Sequence, residues 1–139
     1  MQGAMKHTFS KILMGVIFLI VISCQNDIII KELIDINSPI EMTVIIADSV
    51  TGLTEYKNLQ IDTKSEKFKQ LIDFAERNSQ DWESSVASYV SDIAISQGDF
   101  RLLYWIGKDG VVIGFTDSNG DSKQYYKGIN PGELDFLIK

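Results

Sequence analysis

Cysteine and histidine are almost missing from this 139-residue sequence: each occurs once, as Cys24 and His7, and neither recurs from residue 25 onward. The long remainder therefore cannot close a disulfide, assemble a Ser-His-Asp or Cys-His catalytic set, or build a zinc site on thiolates and imidazoles. Proline is confined to positions 39 and 131, where it punctuates the chain. No apolar run is long enough to span a bilayer. The longest, residues 12–22, would rise about 16 Å as a helix against a hydrocarbon core of about 30 Å. A phosphate-cradling glycine loop is absent, as are internal repeats and low-complexity segments. Basic residues are outnumbered, 13 Lys and Arg against 19 Asp and Glu. They form no patch, which argues against nucleic acid as a partner.

What the sequence does have is a distinctive start. Lys6 and Lys11 flank the beginning of the apolar run, and a small residue, Ser23, stands directly before Cys24. A positive start, an apolar stretch and a small residue at the cut make residues 1–23 a secretory signal peptide, with translation beginning at Met1 or Met5. The string Val21-Ile22-Ser23-Cys24 resembles the lipobox of bacterial lipoproteins, with Val21 in place of the more usual leucine. The resemblance implies cleavage between Ser23 and Cys24, then acylation of Cys24 on its sulfur and new amino terminus by chains such as palmitate. Two alternatives stand beside it: a transmembrane anchor, for which the run is too short, and an ordinary signal peptide that leaves Cys24 as an unpaired thiol in an exported protein. Buried acyl chains contribute about 0.8 kcal/mol per methylene, so several chains hold a protein firmly at a lipid bilayer. Gln25 in place of aspartate implies, by the sorting habit of many Gram-negative lipoproteins, an outer-membrane protein facing the periplasm.

Residues 1–23 hold two of the thirteen basic residues and none of the nineteen acidic ones, so residues 24–139 carry eleven against nineteen, a net charge of −8. That length suffices for one core held by burial alone. Residues 24–40 read as the lipidated N-terminus and a partly packed tether, because Ile28-Ile29-Ile30 and Leu33-Ile34 are too apolar for a free linker. They form either a short helix with Ile29, Leu33 and Ile36 on one side, or a strand. Residues 41–139 make one α+β domain. Residues 41–48, rich in β-branched side chains, and residues 56–62 form an N-terminal hairpin around Gly52. Thr63 and Glu66 make a capping box for a main helix over residues 63–78, with Phe68, Leu71, Ile72 and Ala75 facing a core. A four-stranded antiparallel meander follows over residues 92–96, 99–106, 111–116 and 122–127. Its turns fall at Gln97-Gly98, at Asp109-Gly110, where positive φ is expected, and at Asn119-Gly120. Asn130 caps a short C-terminal helix with Pro131 in its first turn and Leu134, Leu137 and Ile138 on its apolar side. The strand over residues 99–106 points Phe100, Leu102, Tyr104 and Ile106 one way. Leu103 and Trp105 on the other side make a face too apolar to stay wet, to be covered by the tether, the closing helix or another protein.

Chemistry follows mostly by elimination, and no cofactor is expected. Nineteen acidic residues guarantee some carboxylate pair by chance, so such a pair is uninformative. Asp117-Ser118-Asn119-Gly120-Asp121 opens like a calcium loop, but Ser122 stands where such a loop needs glycine and Gly128 where it needs glutamate; a plain hairpin turn is the better account. Recognition remains. Trp82, Trp105 and Tyr125 are candidate aromatic anchors, and Glu83, Asp117 and Asp121 could complement a basic partner. Trp82 leads because its neighbours are polar; its competing role is to close the helix end against the sheet. The expectation is a membrane-tethered periplasmic lipoprotein that is not an enzyme but a protein-binding module. Small acidic lipoproteins of this size are similar to immunity and inhibitor proteins that neutralise an envelope-targeting toxin or enzyme. The alternative is a structural or assembly accessory of a cell-envelope complex.

Overall fold

The computed structural model describes residues 26–139; Ser23, Cys24 and the signal segment lie outside the described residues. The chain enters by strapping itself to a later segment. The Asn26 N–H donates to the Trp82 carbonyl at 2.9 Å, the Trp82 N–H returns to Asn26 at 3.1 Å, and the Ile28 N–H donates to the Ser79 carbonyl at 2.7 Å. A single helical turn, α1 (Ile30–Leu33), follows. The backbone bonds set its entry direction and turn Ile28, Ile30 and Ile34 inward, while Ile29 and Ile36 are exposed. The expected stripe of Ile29, Leu33 and Ile36 is therefore not the buried one. Ile28, Ile30, Ile34 and Ile40 belong to the same core as the sheet, so the described part of residues 24–40 is part of the globular body.

Strands β1 (Ile40–Ala47) and β2 (Thr54–Ile61) form the expected hairpin, in unbroken antiparallel register from Ile40 opposite Ile61 to Ala47 opposite Thr54. Gly52, at φ 70°, supplies the left-handed residue that the loop needs. The main helix, α2 (Glu66–Arg77), is capped by Ser65, whose hydroxyl accepts from the Phe68 N–H at 3.1 Å, and not by Thr63. Asp62 explains the shift: its carboxylate takes the Lys64 N–H and its carbonyl the Ser65 N–H, forming a turn that delays the helix. Phe68, Leu71, Phe74 and Ala75 are the buried stripe, with Ile72 packed beside them. Asn78 ends the helix; its N–H and its side-chain amide both donate to the Phe74 carbonyl.

After a two-residue strand, β3 (Glu83–Ser84), the meander runs through β4 (Ile93–Gln97), β5 (Phe100–Tyr104), β6 (Gly110–Thr116) and β7 (Ser122–Gly128), each strand pairing with the next. Pairing of β1 with β4 joins hairpin and meander, and β3 adds to the outside of β7. The result is one seven-stranded antiparallel sheet in the order β2-β1-β4-β5-β6-β7-β3, on an α+β plan that is mostly sheet. Gly98 and Gly120 take the positive φ expected of their turns. Asp109-Gly110 does not: the left-handed residue is Gly107, at φ 70°, and Gly110 opens β6. A Cβ on Gly110 would sit 2.9 Å from the Tyr126 ring, so this glycine serves close side-chain approach within the sheet.

One face of the sheet, carrying Ile40, Met42, Ile93, Ile95, Leu102, Tyr104 and Ile113, packs against α2, α1 and the C-terminus in a single core. The expected closing helix is a series of turns ending in one 3-10 turn, Asp135–Ile138. Gly132 at φ 75° diverts the backbone from a helical path. Asn130 does not cap by its side chain; its N–H donates to the Glu133 carboxylate at 3.1 Å. Leu134 and Leu137 are buried and Ile138 is exposed.

Candidate binding surface

The second face of the sheet holds one of several open clefts on the molecule. Alternation puts Arg101 and Leu103 of β5, Val112 and Gly114 of β6, and Gln124 and Tyr126 of β7 on that side. Strand β3 lies at one edge of the sheet while β4, the next strand in the chain, lies in its middle. Residues 85–92 must therefore cross over β7, β6 and β5, and they do so as a strap. The Ser85 N–H donates to the Gln124 carbonyl at 2.9 Å and the Gln124 side-chain amide donates to the Ala87 carbonyl at 2.7 Å. Farther along, the Trp105 indole N–H donates to the Val90 carbonyl at 2.6 Å, and the Tyr89 ring meets Trp105 edge-on at 5.7 Å. The apolar face expected to need cover is thus partly covered by the chain's own strap. α1 and the C-terminal turns pack on the opposite side, where Lys31 pairs with Glu76 of α2 and the Lys67 ammonium reaches the Leu137 carbonyl.

Beneath the strap is an open cleft of about 420 Å³ lined by Ser85, Ser88, Tyr89, Arg101, Leu103 and Gln124 among others. Arg101 lies across Gly114, whose missing Cβ would stand 2.7 Å from the guanidinium Nε. No carboxylate lines the cleft, so it offers hydroxyls, an amide and one cation but no acid and base in partnership. The strap itself leaves Val86 and Val90 almost fully exposed.

The groups with displaced proton affinities lie elsewhere and serve turns. The Ser38 hydroxyl lowers Asp35, the Val50 N–H lowers Asp48, and the Asp121 N–H lowers Asp117, in each case with further help from neighbouring amides. Asp135 is lowered first by the Tyr104 hydroxyl, at 2.7 Å, and then by the Gly107 N–H at 3.0 Å. Tyr104 is pushed up to about 12, by burial first and the Asp135 carboxylate second. Among the described residues no group of three or more His, Cys, Asp or Glu is placed to hold a metal ion.

The candidate residues do not converge. Trp82 is 0% exposed, which removes it as a partner anchor. Asp81, in the left-handed region at φ 62°, turns the chain so that the indole points inward and donates to the Asn78 carbonyl at 2.7 Å. Trp82 thus closes the end of α2 against the sheet. Glu83 is exposed on the β3 edge opposite Tyr126. Trp105 is half-buried under the strap. The Asp117 carboxylate is occupied by the N–H groups of Asn119 and Asp121 and by Lys123 at 3.4 Å, with Asp121 also 3.8 Å from Lys123, which is a hairpin turn. Tyr125 is on the α2 side of the sheet, stacked on Phe115 at 5.9 Å. Alternation in the strand over residues 99–106 puts Arg101 on the face with Leu103 and Trp105, but nothing in the sequence showed that a strap would cross that face, because residues 85–92 have no periodicity to follow. No protein-family model matches the sequence, and neither a curated protein nor a solved structure is significantly similar to it.

Proposed function

We propose that the chain is a lipid-anchored protein of the bacterial envelope that acts by binding another protein, as an immunity or inhibitor protein against an envelope-targeting toxin or enzyme does. The observation that carries this is the lipobox-like string at residues 21–24, two residues before Asn26, which is already bonded into the folded body. Two residue steps reach at most about 7 Å, so an acylated Cys24 would bring the β3 edge of the sheet, where Asn26 bridges Trp82, near the bilayer. The opposite edge, β2, would then lie across the sheet, six strand spacings or about 29 Å away. A net charge of −8 for residues 24–139 suits a basic partner, steered by long-range attraction. The cleft under the strap offers a partner the hydroxyls of Ser85, Ser88 and Tyr89, the Gln124 amide and the Arg101 cation.

Membrane fractionation of the native host tests the anchor. Cys24→Ser should move the protein from membranes to the soluble periplasmic fraction and abolish incorporation of labelled fatty acid; unchanged membrane attachment would count against it. Affinity capture from the same membranes tests the partner. A single basic partner in a one-to-one complex supports the immunity or inhibitor role, and recovery within a large membrane assembly supports an accessory role instead.

A further inference from the structure

The two edges of the sheet are built differently. One ends in β3, two residues long and flanked by the Asn26–Trp82 bridge. The other ends in β2, eight residues of exposed strand apart from Ile61, with no proline and no break in register. Proteins usually blunt such an edge with bulges, prolines or very short strands.

The hydrogen-bond phase of β2 can be worked out. The Asp48 N–H bonds the Leu53 carbonyl at 2.9 Å, and bonded pairs alternate along an antiparallel ladder, so Leu53, Glu55, Lys57, Leu59 and Ile61 face β1. The far side of β1 agrees, since the Ile45 N–H bonds the Asp92 carbonyl at 2.8 Å. Thr54, Tyr56, Asn58 and Gln60 consequently direct both N–H and C=O out of the sheet. Such a row is met by one kind of ligand, another extended backbone.

We propose that this backbone is β2 of a second copy of the chain, paired antiparallel about a two-fold axis at Tyr56. A two-fold pairing must set outward-facing residues opposite one another, which leaves few registers. Centred on Glu55 it opposes Glu55 to itself, and centred on Lys57 it opposes Lys57 to itself. Centred on Asn58 it sets Glu55 against Ile61 and Lys57 against Leu59. Only with Tyr56 at the centre does each Glu55 face a Lys57 of the other copy. That register also places Leu53 opposite Leu59, and Tyr56 on Tyr56. Tyr56 is 63% and Leu53 71% exposed in the single chain, and neither Glu55 nor Lys57 makes an ion pair among the described residues. The pairing rests on strand geometry and not on the lipid anchor; it sets the two β3 edges at opposite ends of the joined sheet, so both anchors reach one bilayer when that sheet lies along the membrane. Its main opponent is repulsion between two acidic bodies, which salt at about 0.15 M screens beyond about 8 Å.

The full-length chain in detergent, followed by sedimentation velocity at that ionic strength, should show a dimer. Lys57→Glu turns two attractive oppositions into two repulsive ones and should weaken the dimer about tenfold or more. The exchange Glu55→Lys with Lys57→Glu should restore it to within about threefold. Under mild oxidation Tyr56→Cys should cross-link to itself, because directly opposed bonded residues lie about 5.5 Å apart at Cα. Asn58→Cys should not, its two copies being about 14 Å apart, and the parent chain, with Cys24 alone, is the control. All these positions are exposed, so unchanged thermal unfolding verifies each variant. A monomer at about 100 μM, a dimer indifferent to charge reversal, cross-linking at Asn58 instead of Tyr56, or a β2 edge protected only by a different protein would each overturn the proposal.

Discussion

Trp82 makes the sharpest test of how this molecule is held together. Its ring is fully enclosed, its indole N–H binds the last carbonyl of the α2 cap at Asn78, and its backbone binds Asn26. Removing the ring in Trp82→Ala takes away a large buried surface and leaves a cavity, a loss of about 3–5 kcal/mol. Trp82→Phe separates the terms: it keeps most of the apolar packing but strands the Asn78 carbonyl, which costs about 1–3 kcal/mol. For a body of this size a loss of 1 kcal/mol lowers Tm by about 4 °C. Phe should therefore lower it by about 4–12 °C, and Ala should remove much of a total stability of about 5–15 kcal/mol. Circular dichroism melts measure both, and Trp105 remains as a fluorescent reporter of the opposite face. Trp82→Ala melting within about 2 °C of the parent would refute the assignment of Trp82 to the core and return it to the surface as a partner anchor.

Other substitutions probe separate parts. Ser65→Ala should destabilise by about 1 kcal/mol while Thr63→Ala does little, since Ser65 is the cap; equal losses in urea unfolding would place the cap wrongly. Gly110→Ala, which pushes the Tyr126 ring, should lose about 1–3 kcal/mol in the same assay. Gly114→Ala should lose less than about 1 kcal/mol, because the Arg101 side chain can swing aside, and the reverse ranking would contradict the packing described. With pH, Tyr104 binds its proton more tightly folded, at about 12, than unfolded, at 10.0. Its contribution is complete below pH 10 and declines as the pH rises toward 12, so Tyr104→Phe should flatten the alkaline limb of the stability curve. A limb unchanged in that variant would assign it to other groups.

Much of the fold was readable because the meander announces itself twice, by alternation and by turns. Phe100, Leu102 and Tyr104 are buried as their spacing requires, and Gly98 and Gly120 occupy the left-handed turns. Asp109-Gly110 misled because a glycine serves two purposes: here it makes room for Tyr126, and Gly107 makes the turn. Trp82 misled because polar neighbours are what an inward residue on an exposed edge has on both sides. Exposure of Asp81 and Glu83 is the other half of its burial. In residues 28–36 six of the nine positions are aliphatic and fit no single face, so periodicity could not choose; the long-range bonds to Ser79 and Trp82 chose. The strap left even less trace. Its path is dictated by sheet order, since β3 sits at an edge and β4 in the middle, and no local pattern encodes that.

The proposed lipid anchor fixes the folded body to a bilayer through Cys24, two residues before the Asn26–Trp82 bridge. Intact-mass and N-terminal peptide mass spectrometry of the protein from its native membranes addresses this directly. An anchored chain should begin at Cys24 and carry the added mass of acyl chains on it. A chain that begins anywhere else, or at Cys24 with a free amine and thiol, would contradict it.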